Sequence, residues 1–417
     1  MTSGPPASGS LKRQLGVSDA VIIGAGSMIG AGVFAAWSPA ARAAGDGLLI
    51  GLAIAGVVAF CNAASSAQLA AIHPQSGGTY VYGRHQLGAF WGHLAGWGFV
   101  VGKTASCAAM ALTVGVYLTP EQPRPTAVLA IVMITAVNLG GLTRTVAVTR
   151  ILLAVSLTAL AVIVYTAVGY EDERALALVG PGAGEADLPG VLQSAGFLFF
   201  AFAGYARIAT LGEEVRDPAR TIPIAIPTAL VGVLALYAVV GVVMLGAVGA
   251  DRLATTSAPL RTVFFWDDRL EWVVQIGAGI ASLGVLLNLI PGVSRTTLAM
   301  ARNRDLPGWF AHVDGVRSIP LRAELTVASV VTILVLTLDI RSSIAVSGVA
   351  VLTYYAVTNA AALTLTAEQR RWPRVIPVLG FAGCVILVLA LPGGALAGGA
   401  LVLGLGVIAG VVARGRT

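Results

Sequence analysis

The sequence predicts an all-α integral membrane protein with about twelve transmembrane helices. Two groups of five helices are expected to form an inverted repeat, and two further helices follow them. Three observations predict this fold class. The composition is too apolar for a soluble chain, the apolar runs have the length of membrane helices, and two runs are interrupted at corresponding positions of the two groups.

The composition establishes the membrane environment. Hydrophobic residues make up 57% of the 417 residues and charged residues only 11%. A soluble protein carries about 25% charged residues, so this chain could not cover its apolar surface in water. The Arg residues lie in short segments between apolar runs and do not gather on one basic face. The expected partner is therefore the lipid bilayer, and not nucleic acid.

The apolar runs predict the spans, because a helix needs about 20 apolar residues to cross a bilayer. Residues 1–16 are polar and form a predicted cytoplasmic tail. The predicted spans are 17–43, 47–72, 86–118, 126–142, 146–169, 190–213, 223–249, 272–300, 324–338, 342–366, 374–391 and 394–413. Spans 1–5 (17–169) form the first repeat, spans 6–10 (190–366) the second, and 374–413 holds the last two spans.

The distribution of Lys and Arg predicts the orientation. If the N-terminus is cytoplasmic, the inner loops receive more than twice as many Lys and Arg residues as the outer loops. Cytoplasmic loops of membrane proteins carry such an excess. We therefore expect a multi-pass protein of the cytoplasmic membrane with both termini in the cytoplasm.

The first interrupted run is VIIGAGSMIGAGVF, residues 21–34, which holds four glycines. A broken membrane helix survives only where protein or a water-filled cavity surrounds it, and it then offers free N–H and C=O groups to a ligand. Close packing of helices through small residues, as in Gly26-x-x-x-Gly30, explains the glycines equally well. A dinucleotide fingerprint is excluded, because Ile29 stands where the third glycine is required.

A second irregular segment favours a broken helix over simple packing. Span 6 reads FAGYAR at its centre, residues 202–207, where a plain span would be aliphatic. It lies five spans after the first interruption. Paired broken helices in corresponding halves of a chain indicate the substrate site of an inverted-repeat transporter.

The sequence resembles amino acid permeases of the amino acid–polyamine–organocation superfamily. Four stretches in the family's order carry the resemblance: GSMIGAGVF in span 1, HPQSGGTYVYGRHQLGAFWGHLAGW (73–97), FFAFAGYARIATLGEEVRDPARTIPIAI at the end of span 6, and SRTTLAMARNRDLPGWFAHV (294–313). The resemblance implies a leucine-transporter-type fold and an amino acid substrate. Its motifs define the family and leave the particular amino acid open.

The resemblance also implies which residues bind substrate. In this family the unwound parts of spans 1 and 6 hold the α-amino and α-carboxyl groups. The corresponding positions, with the neighbouring cation, are Gly24, Ala25, Gly26, Ser27, Met28, Ile29, Gly30, Phe202, Ala203, Gly204, Tyr205 and Arg207. The loop after span 6 suggests an inner gate of Glu213, Glu214 and Arg216, although these residues fit an ordinary solvated loop as well.

Two departures from the family concern charge and coupling. Many relatives carry an acidic residue directly after the Gly-aromatic pair of span 6, where this chain has Ala206 followed by Arg207. Some proton-coupled relatives carry a lysine in span 5, where this chain has Ser156. Lys103 is the one lysine inside a predicted span, and Ser282 offers a hydroxyl in span 8. We take Lys103, Ser156 and Ser282 as coupling candidates and expect proton-linked transport or exchange, independent of sodium.

Other function classes fit less well. Cys61, Cys107 and Cys384 have no paired spacing, and the four histidines lie near the inner face without a metal-binding pattern. We therefore predict no metal, no cofactor and no enzymatic activity. The alternatives left open are a carrier of polyamines or cationic amino acids and, with less support, a membrane sensor or scaffold that binds its ligand without moving it.

Overall fold

The computed structural model describes residues 15–73, 77–140, 145–168, 187–209, 215–265, 268–314 and 319–414. Within these ranges the regular structure is helical, apart from a single parallel bridge between Leu15 and Val215. The helices are α1 Val17–Met28, α2 Ala31–Ala35, α3 Trp37–Ala44, α4 Leu48–Ile72, α5 Thr79–Leu87, α6 Ala89–Leu118, α7 Pro123–Leu139, α8 Thr145–Val168, α9 Leu188–Phe202, α10 Ala206–Ala209, α11 Pro218–Val248, α12 Ala250–Thr255, α13 Glu271–Arg302, α14 Leu321–Thr337, α15 Ile340–Leu363, α16 Val375–Ala390 and α17 Gly393–Arg414.

Nine helical segments of the described chain are long and apolar enough to cross a membrane. Pro123–Leu139 and Val375–Ala390 are apolar but shorter, and Leu321–Thr337 carries Arg322 and Glu324 in its first turn. Large aliphatic side chains such as Ile151 and Leu389 are exposed on the outside of the bundle. An all-helical membrane protein accounts for this surface, because these side chains would face lipid instead of water.

Helices that the sequence places at equivalent positions of the two repeats pack against each other. In the structure α4 contacts α11, α6 contacts α13, and α7 contacts α14. These are the second, third and fourth predicted spans paired with the seventh, eighth and ninth.

Span 1, predicted as a broken helix over 17–43, is divided at more than one point. It consists of three helices, α1, α2 and α3, and Trp37 at the start of α3 is buried. The predicted third span began at residue 86, whereas the structure has a separate helix α5 that ends at Leu87. Gly88 divides α5 from α6 with φ of 100°, a value that residues with a side chain rarely adopt.

Candidate substrate-binding site

The break in span 1 is a tight turn of two residues. Helix α1 ends at Met28, Ile29 has φ −78° and ψ 81°, and Gly30 has φ −147° and ψ −144°. The N–H of Gly30 donates to the carbonyl oxygen of Met28 at 2.9 Å. This geometry is that of an inverse γ-turn, and it is followed by the new helix α2. The expectation of open backbone over residues 24–30 was too broad, because only Ile29 and Gly30 leave the helix.

The first two glycines of the motif pack helices together. Gly24 and Gly26 lie within α1. A Cβ on Gly24 would lie 2.2 Å from Cδ1 of Ile208, and one on Gly26 would lie 2.8 Å from Cγ2 of Thr149. Both positions therefore hold α1 close to its neighbours, which is the packing alternative for these two residues.

Span 6 breaks at the FAGYAR segment. Helix α9 ends at Phe202, a 3₁₀ turn covers Ala203–Tyr205, and α10 begins at Ala206. A Cβ on Gly204 would lie 2.1 Å from the carbonyl oxygen of Ser27 and 2.6 Å from the backbone nitrogen of Met28. The two broken segments are therefore in direct backbone contact, and this contact requires a glycine at position 204.

Side chains from other helices satisfy the carbonyl groups near the breaks. The Lys103 ammonium donates to the carbonyl oxygen of Ala203 at 2.8 Å. The Tyr237 hydroxyl donates to the carbonyl oxygen of Met28 at 2.8 Å and lies 3.2 Å from that of Ala201. Unsatisfied backbone groups inside a membrane cost several kcal/mol each, so these donors stabilise the broken conformation.

A cavity of about 110 Å³ lies against both breaks. Ser27, Met28, Ala203 and Gly204 form part of its wall, and Phe99, Met110, Phe200, Val285 and Leu289 give it an apolar surface. Its polar wall residues include Ser106, Asn288 and Thr296. Such a wall, mostly apolar with a few polar groups, is typical of small-molecule sites.

The cavity is positively charged. Lys103, Arg207 and Arg295 all line it, and its described wall contains no Asp or Glu. Lys103 is buried with 4% of its surface exposed, whereas Arg295 is exposed. Arg207, two residues beyond the 3₁₀ turn of span 6, faces the same space.

The cavity wall includes only part of the predicted site. Ser27, Met28, Ala203, Gly204, Arg207 and Lys103 line it. Gly24, Ala25, Gly26, Ile29, Gly30, Phe202 and Tyr205 are not among its wall residues. The rings of Phe202 and Tyr205 pack instead against Tyr237 and Tyr355, each with ring centroids 5.2 Å apart. Both side chains are fully buried and pack beside the break, outside the cavity wall.

The predicted coupling residues are separated in the structure. Ser156 and Asn288 line a second, very small cavity of about 10 Å³ beside Ile29 and Gly26. This volume is of the size that one water molecule needs. The Ser156 hydroxyl donates to the carbonyl oxygen of Leu152 at 2.7 Å. Ser282 is fully buried but lines neither cavity.

The predicted inner gate is described only in part. Glu213 and Glu214 lie outside the described residues. Arg216 is exposed, and its N–H donates to the carbonyl oxygen of Leu15 at 2.8 Å. This backbone contact joins the segment just before α11 to the segment that enters α1. It lies at the end of the bundle where the inner gate was predicted.

The second and fourth sequence motifs meet at the buried carboxylate of Asp305. The Tyr80 hydroxyl donates to it at 2.7 Å, the Arg84 guanidinium at 2.9 Å, and Nδ1 of His93 lies 3.8 Å away. Burial and the Asp305 carboxylate raise the pKa of Tyr80. Nε2 of His93 donates to the carbonyl oxygen of Gly406 at 2.8 Å, since a carbonyl only accepts. His93, predicted to lie at the interface, is in fact buried in this cluster.

Comparisons with known proteins agree with this architecture. The profile described as Amino acid permease matches residues 15–408. An uncharacterized transporter of Mycobacterium tuberculosis is 57% identical, with 97% of this chain and 92% of the relative covered. The branched-chain amino acid permease BcaP of Bacillus subtilis is 26% identical, covering 92% of this chain and 89% of that protein. The chloroplastic cationic amino acid transporter 7 of Arabidopsis thaliana is 28% identical, covering 84% of this chain and 65% of that protein.

The chain belongs to the amino acid permease family of the amino acid–polyamine–organocation superfamily, and the family prediction is confirmed. It is accordingly a multi-pass membrane protein of a family of transporters. The names of these relatives give different substrates, so the family by itself leaves the substrate open.

Proposed function

We propose that the protein is a secondary active transporter that moves amino acids across the cytoplasmic membrane by alternating access. The observation that carries the proposal is the direct contact between the two broken helices at Ser27 and Gly204, where both line one cavity. Broken helices at the interface of two repeats are the substrate sites of transporters with inverted repeats. Amino acid is the substrate class that the family implies.

The broken segments supply groups that suit both ends of an amino acid. The first N–H groups of α2 have no acceptor within the helix, and the start of a helix carries partial positive charge. These groups suit the α-carboxylate. The carbonyl of Met28 already accepts from Gly30 and Tyr237, so we assign the α-ammonium to the carbonyl of Ser27 at the end of α1. Among the predicted site residues, we assign direct contact to Ser27, Met28, Ala203, Gly204 and Arg207, because these line the cavity.

We further propose twelve spans in a 5+5 inverted repeat, 17–169 and 190–366, with 374–413 appended. The packing of α4 on α11, α6 on α13 and α7 on α14 supports the repeat, because each pair joins equivalent spans. The end of the bundle that holds Asp305 and Arg84 is assigned to the cytoplasm, in agreement with the excess of Lys and Arg in those loops. Glu213, Glu214 and Arg216 remain the proposed inner gate at this face.

For coupling we propose proton-linked transport or exchange, independent of sodium. The small cavity beside the span 1 break is lined by Thr149 and Ser156 of α8 and by Asn288 of α13, and its described wall holds no adjacent Ser/Thr pair from α13. Lys103 is the proposed proton-carrying group, because its ammonium touches the broken backbone of span 6. Uptake into proteoliposomes with choline in place of sodium, at fixed pH and voltage, tests this. Uptake that stops without sodium refutes it.

Counterflow in proteoliposomes tests the function itself. Vesicles loaded with an unlabelled amino acid should accumulate the same labelled amino acid from outside, and protein-free vesicles provide the baseline. A carrier exchanges label across the membrane, whereas a sensor or scaffold only binds it. Binding without exchange for every amino acid tried would therefore replace the proposed function by a sensor, and exchange of at least one amino acid supports it.

A further inference from the structure

A third space, larger than the two cavities described above, lies on the opposite side of the substrate cavity from Asp305. It has a volume of about 740 Å³ and lies among the ends of α3, α7, α12 and α15. Ala35 of α2 and Leu112 of α6 line it, whereas Gly32 and Met110 of the same two helices line the substrate cavity. Three residues of a helix advance about 4.5 Å, so less than one turn separates the two spaces along α2. The larger chamber therefore adjoins the substrate cavity, and we name it the entrance chamber for its position on that side.

The charged residues of this entrance chamber are mostly arginines. Arg42, Arg124 and Arg341 line it together with a single carboxylate, Asp339. That carboxylate accepts the N–H of Ser342 at 2.7 Å and caps the first turn of α15. The positive charge of the chamber thus exceeds its negative charge, and its one anion already has a structural partner.

The excess of positive charge is specific to the walls of the chamber. Acidic residues are present in the connections on this side, and Asp46, Glu121 and Asp251 are all exposed. None of the three lines the chamber. The substrate cavity repeats the pattern, because Lys103, Arg207 and Arg295 line it without an acidic residue among its described wall residues. Arg295 lies near the cytoplasmic end of α13 and interacts electrostatically with the buried Glu324, so topology and this carboxylate account for it. Topology does not account for arginines at the opposite entrance.

We propose that the transported amino acid carries a second carboxylate and is therefore net negative. This inference rests on the proposed transport function. Clefts lined by charge of one sign raise the local concentration of the opposite charge and repel like charge. Arginine, moreover, binds carboxylates through two parallel hydrogen bonds, which makes it the suitable residue for a second carboxylate. Two successive spaces of the same sign would oppose the passage of arginine, lysine or a polyamine at both steps.

Glutamate and glutamine form the sharpest pair of test substrates, because they have nearly the same shape and differ in charge. Counterflow in proteoliposomes is measured with labelled glutamate, aspartate, glutamine, leucine and arginine. We expect glutamate or aspartate to exchange at least about tenfold faster than glutamine, a ratio that corresponds to about 1.4 kcal/mol. Arginine exchange should equal the protein-free baseline.

The entrance chamber is tested by the double variant Arg124→Gln/Arg341→Gln. It should raise the KM for glutamate about tenfold and reduce the salt dependence of uptake, because steering by exposed charges is screened by salt. Arg269→Gln is the matched control, since Arg269 is exposed and lines neither space. Size-exclusion profiles and melting temperatures establish that each variant is folded.

The outcomes separate the two proposals. Exchange of glutamine, leucine or arginine at least as fast as glutamate overturns the acidic substrate and leaves the transport function standing. A KM for glutamate that is the same in the double variant and in the Arg269→Gln control also overturns it. Absence of exchange for all amino acids refutes the transport function, and the inference then falls with it.

Discussion

The substitution Gly204→Ala tests whether the contact between the broken helices controls transport. The added Cβ would lie 2.1 Å from the carbonyl oxygen of Ser27, 2.4 Å from its carbonyl carbon and 2.6 Å from the nitrogen of Met28. All three are backbone atoms, so no side-chain rotation relieves the clash. An ordinary carbon–oxygen contact is about 3.3 Å, so the two segments would have to separate by about 1 Å.

This separation would lengthen hydrogen bonds that lie directly beside the contact. Tyr237 donates to the carbonyl oxygen of Met28 at 2.8 Å, and Lys103 donates to that of Ala203 at 2.8 Å. Overpacking of a well-packed interior costs about 1–3 kcal/mol. If substrate binding bears that cost, affinity falls about 5- to 150-fold. We expect a loss of this size in binding and uptake, together with a small decrease in melting temperature.

Gly232→Ala is the matched control, because a Cβ on Gly232 meets no atom within 4 Å and the residue lies within α11. A helical Gly→Ala change in open space stabilises by up to about 1 kcal/mol. Both variants are purified in detergent, checked by size exclusion and assayed for counterflow at equal protein. Wild-type affinity and exchange in folded Gly204→Ala would refute the reasoning that the two backbones must touch for the site to form.

Three further predictions follow from other contacts. Lys103→Met should lower gradient-driven uptake by a larger factor than counterflow, because it removes both the proposed proton carrier and a cation of the cavity wall; equal losses in the two assays would exclude Lys103 as proton carrier. Asp305→Asn removes the charge that the surrounding donors share and should lower stability by about 1–3 kcal/mol, seen as a lower melting temperature that exposed Asp46→Asn does not show. Gly30→Val should abolish uptake while expression and monodispersity stay near wild type, because its Cβ would lie 2.4 Å from Cγ2 of Val285 in the cavity wall; unimpaired transport in this variant would leave Gly30 a packing role alone.

The sequence located both breaks but not their extent. Glycines and polar residues inside apolar runs are a visible signal, and residues 202–207 contain the 3₁₀ turn that the structure shows. At Gly24 and Gly26 the same signal has another cause. These glycines leave room for the side chains of Ile208 and Thr149, which belong to helices far away in the sequence. A packing glycine and an unwinding glycine look alike in one sequence, because the neighbour that distinguishes them lies far away in the chain.

The rest of the cavity wall could not be predicted for a related reason. Met110, Val285 and Leu289 are ordinary apolar residues of ordinary spans, and only tertiary packing places them beside the breaks. Arg295 lies near the end of predicted span 8 (272–300), where an arginine is typical of a topology signal, yet it lines the same cavity as Arg207. The entrance arginines lie near the ends of three separate helices, α3, α7 and α15, and carry no common pattern, so their shared wall appears only in the folded chain.

Lys103 both donates a hydrogen bond to the broken backbone of span 6 and places a positive charge at the cavity. Hydroxyl groups donate hydrogen bonds to backbone carbonyls at and near the breaks. Tyr237 donates to the carbonyl oxygen of Met28, and Tyr117 donates to that of Phe34 at 2.7 Å. Neutral donors therefore suffice to satisfy such groups, yet Ala203 receives its hydrogen bond from an ammonium. A charged side chain at the membrane centre costs from about 2.5 kcal/mol upward. Since hydrogen bonding alone does not require that cost, a charged residue at position 103 supports the proposed anionic substrate, whose second carboxylate in the adjoining cavity would offset it.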